Sequence, residues 1–420
     1  MTSTPDRLLP RAVPRPNEGV WPGLAAVPHT PARARIAEAL FRRAVRRLEV
    51  RVTLPDGEVL GAGGPESPLM RLHRPSAFFH RLGEHGNIGF GESYMVGDWT
   101  SPELADLLTP FAARLATLIP PTFQRLRRWA VAHTPPEEDN TITGARENIH
   151  RHYDLSNELF AAFLDETMSY SSALFTDVED GTEQLADAQR AKIDSVLDLA
   201  GVRAGQHILE IGTGWGALAI RAAQRGARVT SLTISAEQRH LAEARIATAG
   251  VGDRVQVLLR DYREAQGSYD AVVSVEMIEA VGMRHWPTYF TALERLLAPG
   301  GRIGLQSITM PHDRMLATRD NYTWIHKYVF PGGLIPSMTA IEQSLTENTG
   351  LRVVERMAFG QHYARTLENW RETFLANWRQ VRELGFDDTF RRMWEFYLAY
   401  CEAGFRVGYL DVHQLALTRT

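Results

Sequence analysis

The sequence predicts an α/β chain: a parallel sheet with helices on both faces, preceded by a smaller α+β unit. Three observations predict it. Beyond residue 149, strand-like and helix-like segments alternate through "HILEIG", "ARVTSLTI", "RVQVLLRD", "YDAVVSVEM" and "GRIGLQSI". That order favours parallel strands joined by crossover helices. The first of these strands runs through a glycine-spaced turn into a helical pattern, "HILEIGTGWGALAIRAA". The chain has 420 residues, 44% of them hydrophobic, enough for two or three domains with sizeable cores.

Residues 1–30 are rich in proline and read as an irregular arm. Residues 31–133 form the expected N-terminal domain. Within it "PARARIAEALFRRAVRRL" predicts a helix with Ile36, Leu40 and Val45 on one side. "EVRVTLPDGEVLGAG" predicts a hairpin around its Asp-Gly turn. The glycines of "SAFFHRLGEHGNIGFGESYMVGDWTS" argue for loops and turns between short elements. Ser101 caps a further helix with Pro102 at its first position. That segment ends on Arg125, Arg127, Arg128 and Trp129. It reads either as a helical hairpin packed on the next domain or as a basic, aromatic membrane-surface patch.

"HTPPEEDNTITGARENIH" contains the linker, residues 134–148, and residues 149–420 form the second domain. It opens on "RHYDLSNELFAAFLDETMSYSSALF", a short apolar helix flanked by His152, Tyr153, Tyr170, Ser171 and Ser172. So many rings and hydroxyls suit a cover over a ligand, although His152 and Tyr153 equally suit packing at a helix start. "LADAQRAKIDSVLDLAG" places Ile193, Val196, Leu197 and Ala200 at helical spacing, with Gly201 at the stop.

Net charge is −4, which gives no general argument for nucleic-acid binding. A single cysteine, Cys401, excludes a disulfide within the chain and any CxxC metal site, and fits a reducing cytoplasm. Neither a signal-type apolar segment near the start nor a run of about 18 apolar residues is present, so no span is expected.

The glycine turn carries the chemistry. Gly212, Gly214 and Gly216 follow an E-x-G-x-G-x-G spacing rather than G-x-G-x-x-G. A dinucleotide site also wants an acid about 20 residues on. Here "SLTISAEQRHLAEA" offers Thr233 and Ser235, and no P-loop lysine exists. A ligand with ribose, adenine and a non-phosphate tail fits better, and S-adenosylmethionine is one. Its amino-acid end needs backbone and hydroxyl partners near the turn. An acid after a later strand, Asp261 in "LLRDYREA", can bracket its adenine.

The segments "HYDLSNELFAAFLDETMSYSSALF", "LEIGTGWGALAI", "LTISAEQ", "DYRE", "VSVEMIEAVG", "WIHKYVFPGGLIPS" and "GYLDVHQLALTR" together resemble the cyclopropane fatty acid synthase family. That family includes the mycolic acid cyclopropane synthases and related fatty-acid methyltransferases. "GNIGFGESYMVGDWTS" resembles the N-terminal domain of full-length bacterial members, so the resemblance covers about residues 70–420. It implies a Rossmann-like class I methyltransferase sheet with helical insertions around an acyl pocket. It implies one-carbon transfer from S-adenosylmethionine to the double bond of an unsaturated phospholipid acyl chain. The product is a cyclopropane or a methylene branch, the latter a precursor of a 10-methyl-type branch after a separate reductase. The changed residues described next favour the branch.

The resemblance assigns cofactor binding to Tyr170, Ser171, Glu210, Gly212, Gly214, Trp215, Gly216, Thr233, Ser235, Gln238, Asp261 and Tyr262. It also implies a hydrogen-bonding cage for a bicarbonate base. In this sequence the cage positions are Ser172 for a cysteine, Glu279, Gln306 for a histidine, Ile308 and Tyr363. Ala280 stands where many members have a histidine. Serine and glutamine still hydrogen-bond but do not titrate near neutrality. The base is therefore open between bicarbonate, water and Glu279. Cys401 aligns with a cysteine considered as a nucleophile, yet it shares a helical face with Phe390, Trp394 and Tyr397, a core pattern.

"YTWIHKYVFPGGLIPS", with Lys327, reads as a core turn or an acyl entrance. Leu367, Trp370, Phe374 and Trp378 stack as core or tunnel wall. The resulting expectation is a cytoplasmic, homo-oligomeric enzyme, peripherally attached to membrane. The rivals are a methyltransferase of a small nitrogen or oxygen nucleophile and a non-catalytic lipid-binding protein.

Overall fold

The computed structural model describes residues 15–114 and 156–420. Arg125, Arg127, Arg128, Trp129, the linker, His152 and Tyr153 lie outside the described residues. The chain divides into two compact units. One holds residues 15–114 and 386–396; the other holds 156–385 and 397–420.

The first unit runs α1 (Pro31–Val45), β1 (Arg51–Thr53), β2 (Val59–Leu60), β3 (Leu69–Leu72), α2 (Pro75–His85), α3 (Asn87–Met95), β4 (Trp99–Thr100) and α4 (Leu104–Ala113). Its four-stranded sheet has the order β2-β1-β3-β4. The hairpin forms as read, with Val52 opposite Leu60 and Gly57 at φ 91° in the turn. The buried face of α1 is Ala34, Ala37, Phe41 and Val45, whereas Ile36 is 53% exposed. Phe41 sets the face because it reaches the rings of Phe78 and Phe79. Ser101 does not cap α4 directly. It accepts from the Glu103 amide, and the helix starts at Leu104.

The glycines around residues 83–91 do not make loops. Gly86, at φ 56°, separates two helices. Gly89 lies inside α3, where a Cβ would stand 2.0 Å from the Arg81 carbonyl oxygen. It is a contact point between α2 and α3. Buried Asp98 ties the same region together by pairing with Arg74 and buried Arg81.

The second unit runs α5 (Asn157–Ala161), α6 (Leu185–Leu199), β5 (His207–Ile211), α7 (Ala217–Gln224), β6 (Arg228–Thr233), α8 (Ala236–Thr248), β7 (Val255–Leu259), β8 (Tyr269–Val275), α9 (Ile278–Val281), α10 (Trp286–Leu296) and β9 (Leu297–Thr309). It continues with α11 (His312–Thr318), α12 (Trp324–Tyr328), α13 (Met338–Asn348), β10 (Leu351–Ala358), α14 (Gly360–Ala376), α15 (Trp378–Glu383), α16 (Asp388–Arg406), whose residues through Phe396 belong to the first unit, and β11 (Asp411–Arg419). The seven-stranded sheet has the order β10-β11-β9-β8-β5-β6-β7. Its five parallel strands, β5 to β9, are the segments read from the sequence. The sheet is nevertheless mixed. β11 runs antiparallel to both β9 and β10, which "GYLDVHQLALTR" did not signal by alternation because Val412 and Gln414 through Leu417 are all buried.

Alternate residues of β5 serve opposite cores. Ile208 packs with Val196, Leu218 and Ile246 of α6, α7 and α8. Leu209 and Ile211 pack with Phe290 and Leu293 of α10 and Ile341 of α13. Period-two alternation thus places helices on both faces. Fully burying such side chains stabilises by about 1.5–3 kcal/mol each.

Gly89→Ala tests the helix contact. The new methyl forces α2 and α3 apart, and overpacking of this kind costs about 1–3 kcal/mol. Denaturant unfolding should show that loss; unchanged stability would contradict the contact.

Candidate active site

In the sheet, β5 lies between β6 and β8. The chain winds outward from β5 in one direction and from β8 in the other. The carboxyl ends of these two strands therefore form a topological switch point, where open α/β sheets hold ligands. The glycine turn leaves β5 there. Gly212, Gly214 and Gly216 have φ of 97°, 51° and 89°, in the region that side chains avoid. A Cβ on Gly212 would also lie 2.8 Å from Met277 Sδ, so the turn abuts the segment after β8. A Cβ on Gly214 would meet nothing within 4 Å, which leaves its backbone open to a ligand.

Polar groups surround this turn. Ser231 donates to buried Glu210 at 2.5 Å and shares a 2.6 Å hydrogen bond with Thr213. Burial pushes the Glu210 carboxyl up to about 8. Thr233, Ser235 and Gln238 build the start of α8: the Gln238 amide donates to Ser235, and the Ser235 amide to Thr233 Oγ1. Asp261 caps the turn Tyr262–Glu264 and grips the Arg263 guanidinium at 2.8 and 2.6 Å. Hydroxyls, carboxylates and open glycine backbone form a donor and acceptor set that fits S-adenosylmethionine, a cation bearing a ribose.

Trp215 follows the second glycine of the turn. Its indole donates to Asn157 Oδ1 at 2.7 Å and packs on Phe160. Its side chain thereby joins α5 to the turn. Tyr170 shares a 2.8 Å hydroxyl–hydroxyl bond with Tyr397 and lies against Phe160, Phe163 and Trp370. Ser171 Oγ accepts from Lys192 Nζ at 2.5 Å. Lys192 is buried, and burial brings its ammonium down to about 8.

The expected cage is divided between two carboxylates. Glu276, directly after β8, accepts from the Ser172 amide at 2.9 Å, Gln306 Nε2 at 2.8 Å and the Tyr363 hydroxyl at 3.0 Å. Glu279 accepts from the Ile308 amide at 2.5 Å and the Ser307 hydroxyl at 3.0 Å. The Ser172 hydroxyl is turned away, to the Ala173 carbonyl. Gln306 has a defined amide orientation, because its Oε1 accepts from Gln414 Nε2 at 2.9 Å. The donors expected to hold bicarbonate through Ser172, Gln306 and Tyr363 already hold Glu276. The residues present do not fit a bound bicarbonate, and no step is routed through one.

Burial raises both carboxyls. For Glu276 the Ser172, Gln306 and Tyr363 hydrogen bonds and the Lys192 charge oppose that rise. For Glu279 burial and the nearby Glu276 charge raise the carboxyl to about 8. Its Oε2 is buried without a hydrogen-bond partner among the described residues.

Cys401 lies on α16, and burial pushes its thiol up to about 12. A thiolate is disfavoured there, which opposes a nucleophilic role. Phe390, Trp394 and Tyr397 are buried as a core face requires. Leu367, Trp370 and Phe374 line the buried side of α14, with Tyr363 on the same helix, while Trp378 belongs to α15. Sequence reasoning missed Glu276, Lys192 and Gln414. Glu276 had a signal: it is the acid at the carboxyl end of a buried strand, where parallel sheets place ligand-facing groups.

Comparison with known proteins identifies the family. Residues 140–415 match the family described as mycolic acid cyclopropane synthetase. Tuberculostearic acid methyltransferase UfaA1 of Mycobacterium tuberculosis (strain ATCC 25618 / H37Rv) is 54% identical over 406 residues, 95% of each chain. Cyclopropane-fatty-acyl-phospholipid synthase of Escherichia coli (strain K12) is 34% identical over 355 residues, 83% of this chain and 87% of that one. Among solved structures, mycolic acid cyclopropane synthase CmaA1 complexed with SAH and CTAB is 32% identical. It superposes with a TM-score of 0.59 over 65% of this chain and 97% of that one. The chain belongs to the mycolic acid cyclopropane synthetase family of S-adenosylmethionine-dependent methyltransferases.

Proposed function

We propose that this chain transfers a one-carbon unit from S-adenosylmethionine to the double bond of an unsaturated phospholipid acyl chain, releasing a methylene-branched product that a separate reductase saturates. The observation that carries the reading is the site's composition. Enclosed carboxylates at the switch point stand beside a wall of rings: Phe160, Phe163, Tyr170, Tyr363, Trp370 and Phe405. An apolar acceptor that passes through a cation needs such surroundings. The relatives named for tuberculostearic acid and for cyclopropane fatty acyl phospholipid, 54% and 34% identical, support an acyl acceptor. The higher of these identities favours the branched product.

The bound cofactor supplies an electrophilic methyl group to the alkene, which leaves positive charge on the neighbouring acyl carbon. An alkene is a weak nucleophile, so orientation and exclusion of water must supply much of the rate. Gly212, Gly214 and Gly216 bring backbone to the cofactor, with Glu210, Thr233, Gln238 and Asp261 as polar partners. Ser171, braced by Lys192, and Tyr170, braced by Tyr397, position its amino-acid end. An ionised carboxylate buried beside the acceptor stabilises the developing cation more strongly than it would in water. Phe330, whose ring meets Tyr397, continues the apolar surface into the segment proposed as the acyl entrance.

The product is checked by incubating the chain with labelled cofactor and oleoyl phospholipid vesicles. Mass spectrometry should report an added carbon, and proton resonance should show a terminal methylene. Cyclopropyl protons would assign the ring product, and activity on soluble amines alone would favour the small-nucleophile rival.

Gly214→Ala should weaken cofactor binding about tenfold or more, roughly 1.4 kcal/mol, because the methyl enters the open approach and strains φ. Isothermal titration calorimetry reads this; unchanged affinity would place the cofactor elsewhere.

Glu279 makes stability pH-dependent. The folded chain keeps its proton up to about 8, whereas an unperturbed glutamate loses it near 4.5. The folded state thus binds more protons between these values, and stability falls as pH rises through that window. Glu279→Gln should flatten the decline in a series of denaturant titrations. A slope equal to that of the native chain would assign the dependence to another group.

A further inference from the structure

We infer that Glu276 is the proton acceptor of the reaction, a carboxylate built into the chain at the place where an exogenous anion would otherwise be held. The inference rests on the reading above of one-carbon transfer to an acyl chain and adds the identity of the base.

Geometry carries it. Glu276 follows β8 at the switch point, and its neighbour Met277 abuts the glycine turn. Its backbone sits at φ 50°, an unfavourable region for a side-chain-bearing residue. Strain of this kind persists only where surrounding contacts fix it, and here they are the hydrogen bonds to the carboxylate together with the one from the Glu276 amide to the Gln306 carbonyl. Donors come from Ser172 before α6, Gln306 on β9 and Tyr363 on α14. An ionised carboxylate has about four acceptor positions. Three are filled, which leaves capacity for one proton. Burial raises the Glu276 carboxyl and so its basicity, while hydrogen bonds to the ionised form and the Lys192 charge oppose that rise and favour the proton-accepting carboxylate.

Glu279 is placed differently. Its Oε1 is occupied by the Ile308 amide and the Ser307 hydroxyl, which tie it to β9. It serves the framework of the site.

The step balances without a further reagent. After the new carbon–carbon bond forms, a C–H bond of the transferred methyl breaks and its proton passes to a Glu276 oxygen. If hydride has first moved from the methyl-bearing carbon to the cationic one, the electron pair forms the methylene double bond. If not, it closes a ring. Either outcome neutralises the acyl cation. The proton returns to solvent when the product leaves.

The test uses the full chain, labelled S-adenosylmethionine and oleoyl phospholipid vesicles, in carbon-dioxide-free buffer with and without added bicarbonate. The native chain should turn over equally in both. Glu276→Gln should lose about 100-fold or more, in line with general-base contributions, while its cofactor affinity by calorimetry stays within about twofold. Glu276→Gly relieves the strained backbone and vacates the three donors. It should bind bicarbonate in a calorimetric titration where the native chain does not, and regain turnover when bicarbonate is added. Native activity that requires bicarbonate, or full turnover by Glu276→Gln, would overturn the inference while leaving the acyl reading intact. No labelled acyl product from the native chain would overturn both.

Discussion

A single buried carboxylate organises the catalytic end of the sheet. Glu276 is bound by groups from the segment before α6, from β9 and from α14. These parts are far apart in sequence, and their meeting point defines the switch-point crevice. Each bond is enclosed, so it is stronger than its exposed counterpart. The same interaction sets the rotamer of Tyr363, the amide orientation of Gln306 and the path of the backbone at Ser172. Behind it a further layer of polar contacts extends inward. Gln414 links Gln306 to the Lys192 carbonyl and accepts from Ser195. A charge buried in this way is tolerated because its partners are satisfied in turn.

Electrostatics then follow from placement. Glu210, Glu276 and Glu279 gather around the carboxyl ends of β5 and β8, with the Lys192 ammonium among them. Burial holds Glu210 and Glu279 in the protonated form up to about 8, so the negative charge that an enclosed site can offer a cationic transition state is that of an ionised Glu276. Aromatic side chains close the surroundings and keep the dielectric low, which strengthens each of these effects.

Much of the fold was legible because it rests on local pattern. The five parallel strands carry Val, Ile and Leu between helical patterns in regular alternation, and the hairpin has an Asp-Gly turn. The antiparallel strands β10 and β11 were harder to read. β11 has no clean alternation, since its central residues are buried on both faces. The glycines near residue 89 were misread because close helix packing and looping use the same residue type; only the 2.0 Å approach to Arg81 separates them. At the site, the glycine turn and the polar residues after β6 and β7 were visible from spacing. The division of the cage was not. Glu276 and Glu279 lie close together in "SVEMIE", the first after the strand and the second in the following helix, and motif matching selects the second. Only the three-dimensional convergence of Ser172, Gln306 and Tyr363 identifies the first.

The most direct measurement is a crystal structure of the chain grown with S-adenosylhomocysteine and excess bicarbonate. The account predicts the Glu276 carboxylate within hydrogen-bonding distance of the Ser172 amide, Gln306 and Tyr363, with no separate anion among them. A planar anion seated between those three groups, with the Glu276 side chain swung away, would contradict it.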